Sequence, residues 1–283
     1  MLNKLLKYEF KAQSRLIVPM LFSIVAGGFL ASLLMAVELR MPIPYGRFEN
    51  IMRSSASLLA TLLVIAIFAA NLVISFLIIQ RYYKNFFTDE GYLTFTLPVT
   101  EGQQIFTKLF AATIWSIAAF LAFILAILFM VSFGTSSESF FNADMWRDFI
   151  FEFDRFWHAM IEEIGVANAV LFIVELALLA LVSVPSSFIV FYYAITQGCT
   201  AVRKNKILAS VGIYLLANIV IQIARNVITA GLFMSVLDFA ASLESTLMVL
   251  HGLLWVHILF YLGITIIGFF LCRNRLRKKL DLE

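Results

Sequence analysis

The chain has 283 residues, 62% of them apolar and only 14% charged, and a mean hydropathy of +0.94. A water-soluble globular domain carries about a quarter of its residues charged, so this composition excludes a soluble enzyme and places the chain in a membrane. Two cysteines, Cys199 and Cys272, are too few for a disulfide framework and suggest neither a thiol nor a zinc site.

In chain order, residues 1–15 read first as an amphipathic helix. Lys4, Lys7, Lys11 and Arg15 share one side, and Leu2, Leu5, Leu6 and Phe10 the other. Such a helix is expected to lie along a membrane surface, with its lysines reaching anionic headgroups, before the chain turns into the first span. Runs of the roughly 20 apolar residues needed to cross a bilayer then predict six spanning helices, at 16–37, 58–79, 109–133, 168–194, 207–224 and 249–272. None alternates with period two, which excludes a barrel, and the first is too long for a cleavable signal peptide.

The distribution of Lys and Arg orients the spans. With both termini cytoplasmic, the inner segments hold 15 basic and six acidic residues, and the outer segments six basic and 11 acidic. The modest net charge of +3 therefore reports a basic inner face, and no nucleic-acid partner is expected.

Between the spans, the inner segment 80–108 is unusually aromatic. Arg81, Tyr83, Phe87, Asp89, Glu90, Tyr92, Phe95 and Leu97 are its candidate docking residues, because a solvated loop has no reason to expose such side chains and a partner-binding surface does. Pro98 stops a continuous helix, and Thr100 with Gln103 forms the capping-box pattern that starts the next one. On the outer side, segment 134–167 carries Trp146, Phe149, Phe153, Phe156 and Trp157 at helical spacing opposite Asp144, Asp148 and Arg155, which predicts a second membrane-interface helix or a gate over an exit path. Residues 225–248 are too apolar for a free loop, and Gly231, Asp238 and Glu244 interrupt them, a pattern expected of a re-entrant pair of short helices.

Catalytic signatures are missing. No phosphate loop, dinucleotide-binding glycine turn or nucleophile elbow occurs, and the three histidines lack the spacing of a metal site, so no metal and no cofactor is expected on this chain. Glu175 is the one acidic residue well inside a predicted span. It must be paired, protonated or turned to protein or a water-filled cavity, and Arg225 is its candidate partner. Asn71, Asn218 and Gln222 are candidates for hydrogen bonds between helices, and Pro185 for a kink.

An amphipathic start, six spans and an aromatic inner loop together resemble the permeases of ABC exporters of the type-2 family. The resemblance spans the chain and rests most specifically on Leu6-Lys7-Tyr8-Glu9-Phe10-Lys11 and on Phe87-Thr88-Asp89-Glu90-Gly91-Tyr92-Leu93-Thr94-Phe95-Thr96-Leu97-Pro98-Val99-Thr100. It implies one transmembrane permease domain over 1–283, all-α and multi-pass, in a bacterial inner or plasma membrane. It further implies an elbow helix at 1–15, a coupling helix within Arg81–Glu101, two copies of a separate ATPase subunit carrying ATP and Mg, and a second permease subunit, identical or similar. Outer segment 134–167 is longer and more aromatic than in a minimal permease. The Phe-rich spans suggest an amphipathic cargo such as an antimicrobial peptide, a drug or a lipid-like molecule. Two other readings stand beside this one: an ion-coupled carrier using Glu175, and a non-transporting membrane sensor or immunity subunit.

Overall fold

The computed structural model describes residues 2–40, 46–91, 96, 98–202, 204–239 and 243–278 apart from 135–142, and among them there is no strand. Seven long helices follow one another: α1 (Leu2–Arg40), α2 (Arg47–Phe87), α3 (Glu101–Gly134), α4 (Ala143–Ile164), α5 (Val166–Ala201), α6 (Lys206–Phe239) and α7 (Leu243–Lys278). All but α4 are long and apolar enough to cross a membrane, in agreement with the six expected spans. A helix of 36 residues such as α5 or α7 is about 54 Å long against a hydrocarbon core of about 30 Å, so its ends project beyond the apolar layer. Large side chains on the span surfaces are open to the surroundings, Phe22 and Leu72 to nearly three-quarters of their area. Lipid is a solvent that tolerates this.

Two helix boundaries differ from expectation. The expected elbow at 1–15 is not a separate helix, because α1 runs without a break through Arg15 and past Pro19 to Arg40. The expected re-entrant pair at 225–248 is absent, since α6 continues through Gly231 and Asp238 to Phe239 and Glu244 already belongs to α7. For α6 the reason is energetic. A glycine costs a helix about 1 kcal/mol, far less than leaving backbone groups unpaired in lipid. Pro185 likewise lies inside α5, which continues past it.

The chain divides into two compact units. The first comprises residues 1–9, 79–113 and 160–283, and the second residues 10–78 and 114–159. In the second unit α1 approaches α3 closely at Gly28, where a Cβ would sit 2.5 Å from the Ala126 methyl, a small-residue contact that lets two backbones meet. Edge-to-face aromatic pairs, Phe29 with Phe129 at 5.6 Å and Phe68 with Phe123 at 5.1 Å, complete the packing of α1, α2 and α3. Trp146 Nε1 donates to Ser132 Oγ at 2.9 Å and ties the start of α4 to the end of α3.

In the first unit α5, α6 and α7 pack as a bundle. Gly198 lies against Ser210, and Gly268 against Ile189, whose Cγ1 is 2.9 Å from where a Cβ would stand. Phe191 stacks on Tyr214 at 4.0 Å. The α5–α6 turn closes through Asn205 at φ 59°, a left-handed position that asparagine tolerates, and its carbonyl accepts the first helical bond of α6 from Ala209 N at 3.1 Å. α4 meets α5 through the single residue Gly165 at φ 81°, where a side chain would be strained.

Candidate functional site

Two buried polar sites lie within the first unit. The larger gathers the start of α1, the end of α2 and the start of α3. Glu9, buried on α1, accepts from Arg81 Nε at 2.7 Å and from Lys108 Nζ at 3.5 Å. With its amide oriented to suit its neighbours, Asn85 accepts from Lys108 Nζ at 2.7 Å through Oδ1 and donates through Nδ2 to Glu90 Oε2 at 3.1 Å. The Lys108 ammonium also sits 5.3 Å from the centre of the Phe86 ring. Two cations thus converge on the buried Glu9 carboxylate, and Asn85 links Lys108 to the exposed Glu90, so that each buried charge has a partner, as a low-dielectric site requires.

Aromatic packing joins this cluster to the α5 side of the bundle. Tyr82 stacks face to face on Tyr192 at 3.9 Å and 6°, its hydroxyl hydrogen-bonds Thr196 Oγ1 at 2.8 Å, and Tyr192 Oη donates to the Lys108 carbonyl at 3.5 Å. Tyr82, Phe86 and Tyr192 are fully buried. Part of the aromatic richness of segment 80–108 is therefore internal packing at the end of α2.

The expected docking residues divide accordingly. Arg81 belongs to the ion cluster and Glu90 to its Asn85 branch. Tyr83 and Phe87 are half-buried and stacked at 6.3 Å, while Asp89 is exposed on a short helical turn at 89–91. Tyr92, Phe95 and Leu97 lie outside the described residues. Thr100 and Gln103 make the reciprocal capping box: Thr100 N donates to Gln103 Oε1 at 3.2 Å, and Gln103 N to Thr100 Oγ1 at 3.3 Å.

The second site lies between α5 and α7. Glu175 is fully buried, and its Oε2 stands 2.7 Å from His251 Nδ1, with the imidazole stacked on Phe172 at 4.1 Å. Glu175 Oε1 and His251 Nε2 are buried without a hydrogen-bond partner. The expected partner of Glu175 is thus corrected: Arg225 instead donates from Nη1 to Tyr261 Oη at 3.4 Å, and one turn along, Thr229 meets His257 at 3.2 Å. Both helices run the same way, with Glu175 nine residues past the start of α5 and His251 eight past the start of α7. Matched depth brings the two together.

The other sequence candidates fall as follows. Lys4, Lys7, Lys11 and Arg15 are exposed, and Phe10 is half-buried 6.1 Å from Trp115. On α4 no residue is buried, Trp146 and Trp157 are partly covered, and Phe149, Phe153 and Phe156 are exposed. Asn71 and Asn218, expected to bond between helices, turn back onto their own, donating to the Ile67 and Tyr214 carbonyls at 3.1 Å each, and Gln222 is exposed. A free amide in a helix has an acceptor four residues back, and this local bond wins. Among the described residues no three His, Cys, Asp or Glu side chains converge on a point that could hold a metal ion.

Sequence reasoning missed Glu9 and His251. Glu9 is the only acidic residue before Glu38 and sits among lysines, a signal for an internal partner. For His251 the signal is its depth along α7. Comparison with protein-family models, curated proteins and solved structures yields no match to this chain.

Proposed function

We propose that the chain is the membrane-spanning permease subunit of an ATP-driven exporter of the ABC type-2 kind, coupling to a separate ATPase through the segment that follows α2 and moving an amphipathic cargo across a bacterial cell membrane. The single observation that supports this most is the way residues 1–9 and 79–113 are built into one compact unit with α5, α6 and α7. A push on the exposed turn at Asp89 meets a charge-balanced cluster and a stacked Tyr82–Tyr192 pair, so it moves the attached spans without being absorbed locally. Packed interiors transmit displacement because they deform little. The chain has no phosphate loop, which fits hydrolysis on a partner that carries ATP and Mg. Two such chains would form the path, with termini inside, the lysine face of α1 at the inner membrane surface and α4 resting on the outer one.

Co-expression with the neighbouring genes followed by mild-detergent purification tests this reading. A stoichiometric partner with ATPase activity is expected, lost in Asp89→Lys and retained in Lys4→Gln. A clean chain with no ATPase overturns it.

A second reading has its own support. The Glu175–His251 pair, buried at membrane depth with two polar atoms unmatched, is chemistry an ion-coupled carrier could use. Transport without any ATPase, abolished in Glu175→Gln, would favour that reading over the first.

A further inference from the structure

An elongated groove of about 480 Å³ runs between α5, α6 and α7. Ile189, Ile213, Val220, Gly268 and Leu271 are among its lining residues, and every lining side chain except Tyr193 is hydrocarbon. Tyr193 accepts from Gln197 Nε2 at 3.3 Å and marks one end of the groove.

The helix register shows what lies beyond that end. On α7 the lining residues Ile264, Gly268 and Leu271 follow the i, i+4, i+7 stripe, and the same stripe continues to Arg275 and Lys278. On α6, which runs the opposite way, the lining stripe of Ile213, Ala217 and Val220 leads back to Lys206. Both walls of the groove therefore end in cations at the same end. Lys206 and Arg275 are half-buried, and neither forms a salt bridge with a carboxylate among the described residues. From Val220 to Lys206 is about 21 Å along α6, which matches one leaflet of hydrocarbon, about 15 Å, plus a headgroup.

We propose that this groove binds one anionic phospholipid of the surrounding bilayer, an acyl chain lying along α5, α6 and α7 and its phosphate held by Lys206 and Arg275. An apolar trough that ends in cations with no salt bridge among the described residues fits a molecule with a hydrocarbon tail and an anionic head. A second copy of this chain fits less well, because a two-fold arrangement in the membrane sets Lys206 and Arg275 of both copies at the same depth, where they repel. The proposal does not depend on the ATPase reading, since it rests on α5, α6 and α7 alone.

The test uses the delipidated full chain in detergent, titrated with phosphatidylglycerol or phosphatidylcholine and read by native mass spectrometry. Phosphatidylglycerol is expected to bind roughly 25-fold more tightly, about five-fold for each cation. The K206Q/R275Q double variant should bring it down to the phosphatidylcholine level, while R47Q/K84Q, which removes the same charge at exposed positions of α2, should leave it unchanged. Leu216→Trp, which fills the groove from its open side, should weaken both lipids. Helical circular dichroism confirms that each variant is folded. Equal binding of the two lipids by the parent chain overturns the proposal, as does a phosphatidylglycerol preference that survives K206Q/R275Q. A groove closed by a second copy, seen as a lipid-free dimer that Leu216→Trp dissociates, overturns it as well.

Discussion

The two buried polar sites of the first unit handle charge in opposite ways. Around Glu9, two cations meet one buried carboxylate and Asn85 ties Lys108 to Glu90 at the surface, so every charged group of the cluster has a partner. Between α5 and α7, Glu175 has one polar partner among the described residues, His251, and each of the two keeps one polar atom unmatched there. A closed network fixes the geometry of the segments it joins, and removing any member exposes the others to a desolvated surrounding. An open pair holds two helices together at one point and leaves a carboxylate oxygen and a ring nitrogen for a proton or a passing polar group.

The contrast is broken most forcefully at Lys108. Lys108→Met leaves the buried Glu9 with one of its two cations and Asn85 Oδ1 without its donor, and should cost about 3–5 kcal/mol, seen as a large fall in the thermal unfolding midpoint in detergent. The double variant Glu9→Gln with Lys108→Met removes charges of both signs and should recover much of that loss. A next and smaller effect is expected at the open pair. Glu175→Gln keeps the shape and a hydrogen bond to His251 and replaces a charged acceptor by a neutral one, a loss of about 1 kcal/mol in the same unfolding assay. A loss at Glu175→Gln as large as that at Lys108→Met would show that the pair is a closed structural site after all.

Tyr82→Phe isolates the link between the cluster and α5. It removes the bond to Thr196 and leaves the ring stack on Tyr192, and should cost about 1 kcal/mol, whereas Tyr82→Ala loses the stack as well and should cost about 3–5 kcal/mol. Thr100→Ala takes away one half of the capping box at the start of α3 and should cost about 1 kcal/mol. Smallest of all, Lys7→Gln on the exposed side of α1 should change stability by less than about 0.5 kcal/mol.

Much of the architecture is legible in the sequence because lipid imposes a simple rule: every backbone group must be paired within its own helix. Six apolar runs bounded by charge therefore become six spans, and the Thr100–Gln103 pattern becomes the cap it encodes. The same rule explains the misreadings. Gly231 looks like a place to stop a helix, yet α6 runs through it, because an end inside the membrane would cost more than a glycine does, and α1 runs on past the junction after Arg15. Asn71 and Asn218 look like links between helices and bond instead to their own backbone.

The sites are harder to read than the spans. Glu175 stands out as a carboxylate in an apolar run, but its partner depends on which helix lies beside α5, and spacing along the chain does not contain that. Arg225 carries the opposite charge and is found on Tyr261, whereas His251, at matching depth on α7, takes the contact. At the end of α2 the aromatic pattern is plain, but it does not separate Tyr82 and Phe86, which face the interior, from Tyr83 and Phe87, which lie partly open. Only the packing of α5 against that segment makes the distinction.

The most direct measurement of the central claim is a photo-crosslinker attached to Asp89→Cys in the intact membrane, with Cys199 and Cys272 buried away from the label. The account predicts an adduct with an ATPase subunit, stronger when ATP is present and absent when the same label is placed at Lys4→Cys. Adducts with lipid alone, or with no ATPase under any nucleotide condition, would contradict it.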